Sequence, residues 1–455
     1  MSILAALSMP YNLEEAFGEK DCTTDAMRKA ITEWFDLYYN QTATKERDPS
    51  QRIAFTVVEK LSKTCFGEYQ ASSKDEFAQA VLDALNEKKK NALQTLMIGG
   101  EALLKPIFTP DGIAFAVIRR DNVLVFARSA TGKATDIGTI EKTTQGRFFY
   151  TLMERRSVDA AGRLTIHNKL YRSDTVGTLG HPVPLGTLAQ YEQLAEEYTY
   201  LTPMGGLGLV HMKMPTVNCV DGSLDGVSVY APAAGLIHNI DRNEAQINGE
   251  FERGQSKVFA SADLMVRDKS GRRSFADDVF VAMDEAPEDI GVTIFSPELR
   301  EQSFLNRKAE YLRNVESMLG IKRGLLSEVE AQERTAKEVT SSEGDYNITI
   351  TSLQKLWGDA VREAVRLCGV LGKLYRMPGA HEVAEDAVVI DFGNGVLYDE
   401  EKTWANYLDM VARGLLKPEI AVGWRFNMPT ETESDLQKIR EKYMPMVQSL
   451  VEGDA

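Results

Sequence analysis

The side chains with the widest chemical range here are the five histidines, His167, His181, His211, His238 and His381, and the four cysteines, Cys22, Cys65, Cys219 and Cys368. A zinc site built from sequence neighbours needs Cys or His ligands about two to five positions apart. No two histidines lie within one helical turn, and none stands close to a cysteine, so the sequence holds no such site. The cysteines are far apart and form no Cys-x-x-Cys pair, which reads as buried, reduced thiols of a cytosolic protein. The nearest approach to a phosphate loop is Ser129-Ala130-Thr131-Gly132-Lys133-Ala134. Ala127 stands where the first glycine is required and Ala134 where the magnesium-binding Ser or Thr is required, so a surface hairpin turn is expected instead. The segment Gly222-Ser223-Leu224-Asp225-Gly226-Val227-Ser228 contains no Gly-x-Ser-x-Gly elbow. Carboxylates abound, but no pair stands out from a solvated charged face. We expect no enzyme and no cofactor.

The elements that could carry a function other than catalysis are more informative. The chain has 455 residues, with 52 Lys+Arg against 67 Asp+Glu, a formal charge of −15. At about 150 residues per domain this is roughly three modules. A strongly acidic surface argues against a protein that grips nucleic acid all over, but not against DNA moving through a repulsive channel. The longest apolar stretches, such as Ile113–Ile118, fall far short of the ~18 residues of a membrane span. Met1 to Pro10 lacks a basic segment, so no signal peptide is expected.

Helical spacing predicts a first helix capped by Thr23 or Thr24 through Met27, Ile31, Trp34, Phe35 and Tyr38. A second runs over Ile53–Phe66, and Ser72 or Ser73 opens a third through Phe77, Val81 and Leu85 to Ile98. After Gly99-Gly100 the pattern becomes β-rich: Leu103–Phe108, Gly112–Arg119, Val123–Ala127, Phe148–Arg156, Arg163–Tyr171 and a weaker Thr175–Leu179. We read an antiparallel β module over about 103–215, with a short helix near Thr187–Glu197. Val229–Val258 is helical again, weakened by Gly249 and Gly254. A charge-segregated insert follows: Arg267, Lys269, Arg272 and Arg273, then Asp277, Asp278, Asp284, Glu285, Glu288 and Asp289. It is either a solvated loop or an exposed docking surface.

Ser296-Pro297 suits a helix start, serine as cap and proline in the first turn. Phe304, Tyr311 and Met318 recur every seven residues, and Leu305, Leu312 and Leu319 run one step along. Two adjacent heptad lines make a stripe wide enough for two neighbours. After a polar loop with Lys322 and Arg323, Thr335 and Glu338 form a capping box opening a long helix through Leu353, Trp357, Ala364 and Leu371, with Gly344 as the candidate kink. Val388–Phe392 is a short strand, and Trp404–Arg413 and Pro429–Val451 are the last helices.

The order of these features resembles the portal proteins, or head-to-tail connectors, of long-tailed bacteriophages. The most specific tract is Glu333-Arg334-Thr335-Ala336-Lys337-Glu338-Val339, where the family commonly shows Thr-Ala-Thr-Glu-Val and then serines, as in Thr340-Ser341-Ser342. Lys337 departs from the pattern, while the capping pair is kept. Glu33-Trp34 through Tyr38, Ile98-Gly99-Gly100-Glu101-Ala102 with Lys105-Pro106, and Phe149–Glu154 with Asn168–Tyr171 agree in the same order. So do Gly226-Val227-Ser228 with Leu236–Asp241, and Arg300-Glu301 with Gly320-Ile321.

The resemblance implies an α+β portal fold with a mixed α/β wing, a helical stem, a small α/β clip and a C-terminal helical crown, assembled as a ring. It maps the wing onto 1–231, the first stem helix onto 232–262, the clip onto 263–296 and the second stem helix onto 297–319. The tunnel loop falls on 320–334, the long wing helix on 335–375 and the C-terminal wing and crown on 376–455. It further implies a ring of about twelve copies at one capsid vertex of the virion, assembled in the cytoplasm of a bacterial host. The partners implied are the terminase motor, a head–tail adaptor, the major capsid or scaffolding protein, and double-stranded DNA passing without sequence recognition, with no membrane. Lys322, Arg323 and Arg334 are then the candidates to touch DNA. Arg267, Lys269, Arg272, Arg273, Asp277, Asp278, Glu285 and Asp289 are the clip docking candidates. Phe304, Leu305, Tyr311, Leu312, Met318 and Leu319 pack the stem. A different ring-forming or scaffold-like virion protein is the alternative.

Overall fold

The computed structural model describes residues 12–40, 48–109, 112–254, 257–260, 265–267, 273–275, 292–295, 298–327, 336–384, 387–393, 400–426, 428–430 and 432–444. For 253, the short strands between 257 and 295, and residues 336–344 and 400–403, only the backbone is described. The chain is mixed α+β and divides into two units, Met1–Cys65 with Ala71–Val389, and Phe66–Gln70 with Ile390–Ala455.

The larger unit opens with α1 (Asn12–Phe17), α2 (Asp25–Tyr39) and α3 (Ile53–Cys65), and resumes within β1 (Gln70–Ser73), from Ala71, before α4 (Glu76–Gly99). The Thr24 hydroxyl accepts from the Met27 amide and starts α2, whose buried side chains are the five that helical spacing selects. The start of α4 differs from expectation. Asp75, not Ser72 or Ser73, caps it by accepting from the Ala78 amide at 2.8 Å. A carboxylate suits the positive helix end better than a hydroxyl, and the Ser73 hydroxyl is instead donated to the Ala387 carbonyl. Gly100 terminates α4 with φ +75°, and a Cβ there would sit 2.5 Å from the Gly226 backbone, so glycine is required twice over.

The β-rich block is two sheets rather than one module. In the first, β2 (Glu101–Thr109) lies between β3 (Gly112–Arg119) and β10 (Val210–Lys213), all antiparallel. The second runs β4 (Val123–Arg128), β5 (Ala134–Gln145), β6 (Phe148–Val158), β7 (Leu164–Ser173), β8 (His181–Val183), with β9 (Glu197–Thr199) also on β7. The long strand β5 has no clear sequence signature, because its second half, Glu141–Gln145, is polar. It forms through pairing with β6, closed by a two-residue Gly146-Arg147 turn with Gly146 at φ +61°. β4 is buried on both faces. Val123 and Val125 enter one core with Leu103 and Ile137, and Leu124 and Phe126 enter another with Leu13 and Met153. The expected strand Thr175–Leu179 is a turn instead, and the strand that pairs with β7 after it is β8. The short helix near Thr187–Glu197 reduces to 3-10 turns at Leu185–Thr187 and Ala189–Tyr191, ahead of β9.

A 3-10 turn at Ala231–Ala233 leads into α5 (Ala234–Arg253). The chain is already extended by β11 (Lys257–Ala260), so the expected helix through Val258 and the stem boundary at 262 are too long. β11 pairs with β14 (Val292–Phe295), and inside it β12 (Met265–Arg267) pairs with β13 (Arg273–Phe275). Next come α6 (Glu301–Met318) and α7 (Ala336–Leu374). Ser296 and Pro297 lie outside the described residues, but 298–300 are not helical, so α6 starts later than that proline would place it. The 39-residue α7 runs unbroken through Gly344 and buries Ile350, Leu353, Trp357, Val361, Ala364 and Cys368 along one face. β15 (Val388–Asp391) is the expected strand.

In the smaller unit, α8 (Glu400–Ala412), α9 (Pro418–Arg425) and α10 (Glu433–Tyr443) are helical. α9 was not expected. It opens on Pro418 and stacks Trp424 on Trp404 with ring centroids 6.5 Å apart. α10 starts at a Thr432 cap, later than the expected Pro429. Among the described residues no helix is long and apolar enough to cross a membrane.

Candidate functional site

Helices α5 and α6 form an antiparallel hairpin. Arg300 makes two 2.9 Å bonds to the Glu250 carboxylate, the Asn243 amide donates to the Phe304 carbonyl at 3.0 Å, and Lys308 bridges Glu244 and Gln51 at 2.8 Å each. Ile237, Ile240 and Ile247 of α5 are buried, and α6 adds Val315. The double heptad line is only partly covered. Leu319 is buried and Phe304, Tyr311 and Leu312 are half-buried, but Leu305 and Met318 are 41% and 51% exposed. Arg300 and Arg307 lie over the Phe304 and Tyr311 rings, 5.8 and 4.5 Å from the centroids, and shield part of the aromatic surface. The stripe exceeds what α5 can cover.

Past α6 the chain turns sharply. The Ile321 amide donates to the Glu316 carbonyl and the Gly320 amide to the Ser317 carbonyl, with Gly320 at φ +60°, the bond pattern of a Schellman helix end. The Glu316 side chain then reaches into the turn. One oxygen accepts from the Gly324, Leu326 and Ser327 amides at 3.1, 2.6 and 2.9 Å, and the other accepts from the Ser327 hydroxyl at 2.7 Å. Lys60 donates to the Leu325 carbonyl, Thr349 donates to that of Gly320, and Ile321 is buried. Lys322 and Arg323 are exposed on this anchored turn. Arg334 lies outside the described residues, as does Thr335. The side chain of Glu338, in the first turn of α7, is likewise not described.

At the opposite end of the hairpin, the register of β12 and β13 places Arg267 opposite Arg273. Lys269, Arg272, Asp277, Asp278, Glu285 and Asp289 lie outside the described residues.

Sequence reasoning missed the buried ionic cluster at the root of α5. Arg120 donates to the Val123 carbonyl at 2.8 Å, to the Thr23 hydroxyl at 3.0 Å and to Asp225 at 3.4 Å, and Arg128 also pairs with Asp225. Glu101 accepts from the Gly226 amide at 2.7 Å and contacts His211 at 3.2 Å. Burial by itself would raise the Glu101 carboxyl, but the His211 hydrogen bond and the charges of Arg120 and Arg128 hold it well below the usual range. Together with the Ser228 hydroxyl donated to the Met97 carbonyl and the buried Tyr230 hydroxyl donated to the Trp34 carbonyl, the cluster fixes the segment that enters α5. The legible hint was Glu101, a charge between Gly100 and Ala102 at the head of an apolar run; Arg120, between Arg119 and Asp121, gave none.

The chemically versatile residues scatter. His238 faces Glu33 and His381 faces Asp75, each at 2.7 Å, in separate parts of the unit. Among the described residues no three His, Cys, Asp or Glu side chains converge on a metal position. Cys65 and Cys368 are buried, and burial pushes each thiol up to about 12. Cys22 and Cys219 are exposed, against expectation, because both fall on loops outside the helical and sheet cores. Ser129–Lys133 is a turn between β4 and β5, closed by the Ser129 amide donating to the Lys133 carbonyl at 2.8 Å, and Ala134 already belongs to β5.

No family model matches the chain, and no curated protein matches it. Its chemistry therefore rests on geometry: a hairpin with partly exposed apolar side chains, a pair of small β ladders at one end and a hydrogen-bonded turn with two adjacent cations at the other.

Proposed function

We propose that this chain is a ring-forming portal protein of the long-tailed bacteriophage type, a non-enzymatic channel at one vertex of the virion for DNA packaging and ejection. The observation that carries the proposal is the α5–α6 hairpin, on whose α6 stripe Leu305 and Met318 stay 41% and 51% exposed, surface that neighbouring copies would cover. The paired strands β11–β14 and β12–β13 between the two helices suit a clip that docks the terminase motor first and a head–tail adaptor later. With −15 charges per chain, a ring would carry a large negative field. Repulsion would keep duplex phosphates from adhering to it, while Lys322 and Arg323 make transient, sequence-independent contacts.

Native mass spectrometry tests the assembly. A species on the order of 600 kDa, about twelve chains, is expected, with a central hole in electron micrographs. A monomer or small oligomer under conditions that preserve quaternary contacts would sink the proposal. Reversing the charges of Arg272 and Arg273 is expected to abolish capture of the motor or adaptor while the ring still forms. A ring that never captures the motor would favour the alternative, a scaffold-like virion component.

A further inference from the structure

Glu316 sits where helix physics disfavours it. It lies in the last turn of α6, at the negative end of the helix dipole, and it is 0% exposed. Its four described donors are three backbone amides and one hydroxyl, all from 324–327. Terminating the helix does not require them, since the Ile321 and Gly320 amides and the positive φ of Gly320 already do so. What the side chain adds is a fixed course for the residues beyond. Three amides of one turn converge on a single carboxylate oxygen while the Leu325 amide between them donates to the Lys322 carbonyl, and charge-assisted bonds of this kind are the stronger class. The turn is thus held at Leu319 and Ile321 by burial, at Leu325 by Lys60, and at 324, 326 and 327 by Glu316. Lys322 and Arg323 project from the remaining exposed stretch.

We infer that Glu316 is a positioning residue: it locks this turn so that Lys322 and Arg323 meet duplex phosphates as a preorganised pair rather than as two mobile side chains on a loose loop. The inference rests on the proposal that the turn faces DNA. Preorganisation matters because a contact made by an already ordered segment does not lose further chain entropy on binding.

The test uses the full-length assembly carrying Glu316→Ala, Glu316→Gln or the double variant Lys322→Ala/Arg323→Ala. Two readouts are taken, hydrogen exchange of the 324–327 amides and binding of a short DNA duplex at low salt. Glu316→Ala should speed exchange of the Leu326 and Ser327 amides at least about tenfold, since buried donors lose their acceptor. It should also weaken duplex binding as far as the double variant does. Glu316→Gln keeps an oxygen for the amides and offers its NH2 to the Ser327 hydroxyl, so it should restore both readouts. Unchanged exchange in Glu316→Ala overturns the inference. So does faster exchange with undiminished binding while the double variant has lost it. Wild-type binding by the double variant would instead refute the DNA-facing proposal and with it the positioning role, even if Glu316→Ala still loosens the turn.

Discussion

The six-stranded sheet and the α5–α6 hairpin dispose of their apolar residues in opposite ways. In the sheet, Met153 and Leu170 are sealed at 0% and 1% exposure, and the charges buried beside them are paired: Glu154 with Arg156 at 2.6 Å and with Lys105 at 2.9 Å. In the hairpin, Leu305 and Met318 stay largely open, and many of the links between the helices are polar: Arg300 to Glu250, Lys308 to Glu244, Asn243 to the backbone. The core of the sheet region is sealed by residues of one chain. The hairpin has a root fixed by buried charges and, among the described residues, apolar side chains left open at Leu305 and Met318. Elements of this kind belong to the low-stability end of a structure until something else covers them.

Three experiments bear on that contrast. The largest effect is expected at the root. Asp225→Ala takes from the buried Arg120 and Arg128 one of their two carboxylates, leaving Glu101 at 3.5 and 3.8 Å, and breaking a buried pair this way costs about 3–5 kcal/mol. Urea denaturation should record that loss. A change no larger than the ~0–1 kcal/mol of an exposed ion pair would show that the root is not fixed by charge.

The second effect depends on pH. Burial pushes the Glu154 carboxyl up, but the charges of Arg156 and Lys105 prevail and hold it at about 2, against the ordinary 4.5. Because the folded value is the lower, the unfolded chain takes up the proton first. This stabilisation is therefore complete above about pH 4.3, the value for an unfolded Glu, and is lost as pH falls toward the folded value. The denaturation midpoint of the wild type should drop through that window. Glu154→Gln should start lower at neutral pH and close the gap on acidification. A constant gap would place the stabilising charge elsewhere.

The smallest effect on folding is expected at the hairpin flank. Leu305→Ser should change the stability of the isolated chain by no more than about 0.5 kcal/mol, as befits a surface site, yet shift native mass spectra from the ring toward smaller species. Retention of the full ring would mean that the open stripe is not where copies meet.

How far the sequence could be read followed how local the determining interactions are. α2, α3 and the end of α4 were legible because capping, helical spacing and a left-handed glycine act within a few residues, as at Thr24 and Gly100. β5 escaped because its polar half is held as a strand by pairing with β6, and α9 because Pro418–Arg425 is only eight residues long. The candidate site was legible in the same uneven way. The double heptad line and the Lys322-Arg323 turn stood out, but Glu316 looked like one more surface acid on a helix.

The sequence by itself determined the order of helical and β-rich blocks, the apolar stripe of α6 and the lack of any contiguous metal or phosphate motif, since these follow from residue types at short spacing. Only the tertiary structure decided which charges are buried. Glu101 meets Arg120, Arg128 and His211 across three β elements and a turn, and Glu316 meets the amides of a loop that doubles back on its own helix. The physical reason is that desolvation makes a carboxylate acceptable only where several donors converge, and convergence is a property of the folded chain, not of neighbours along it.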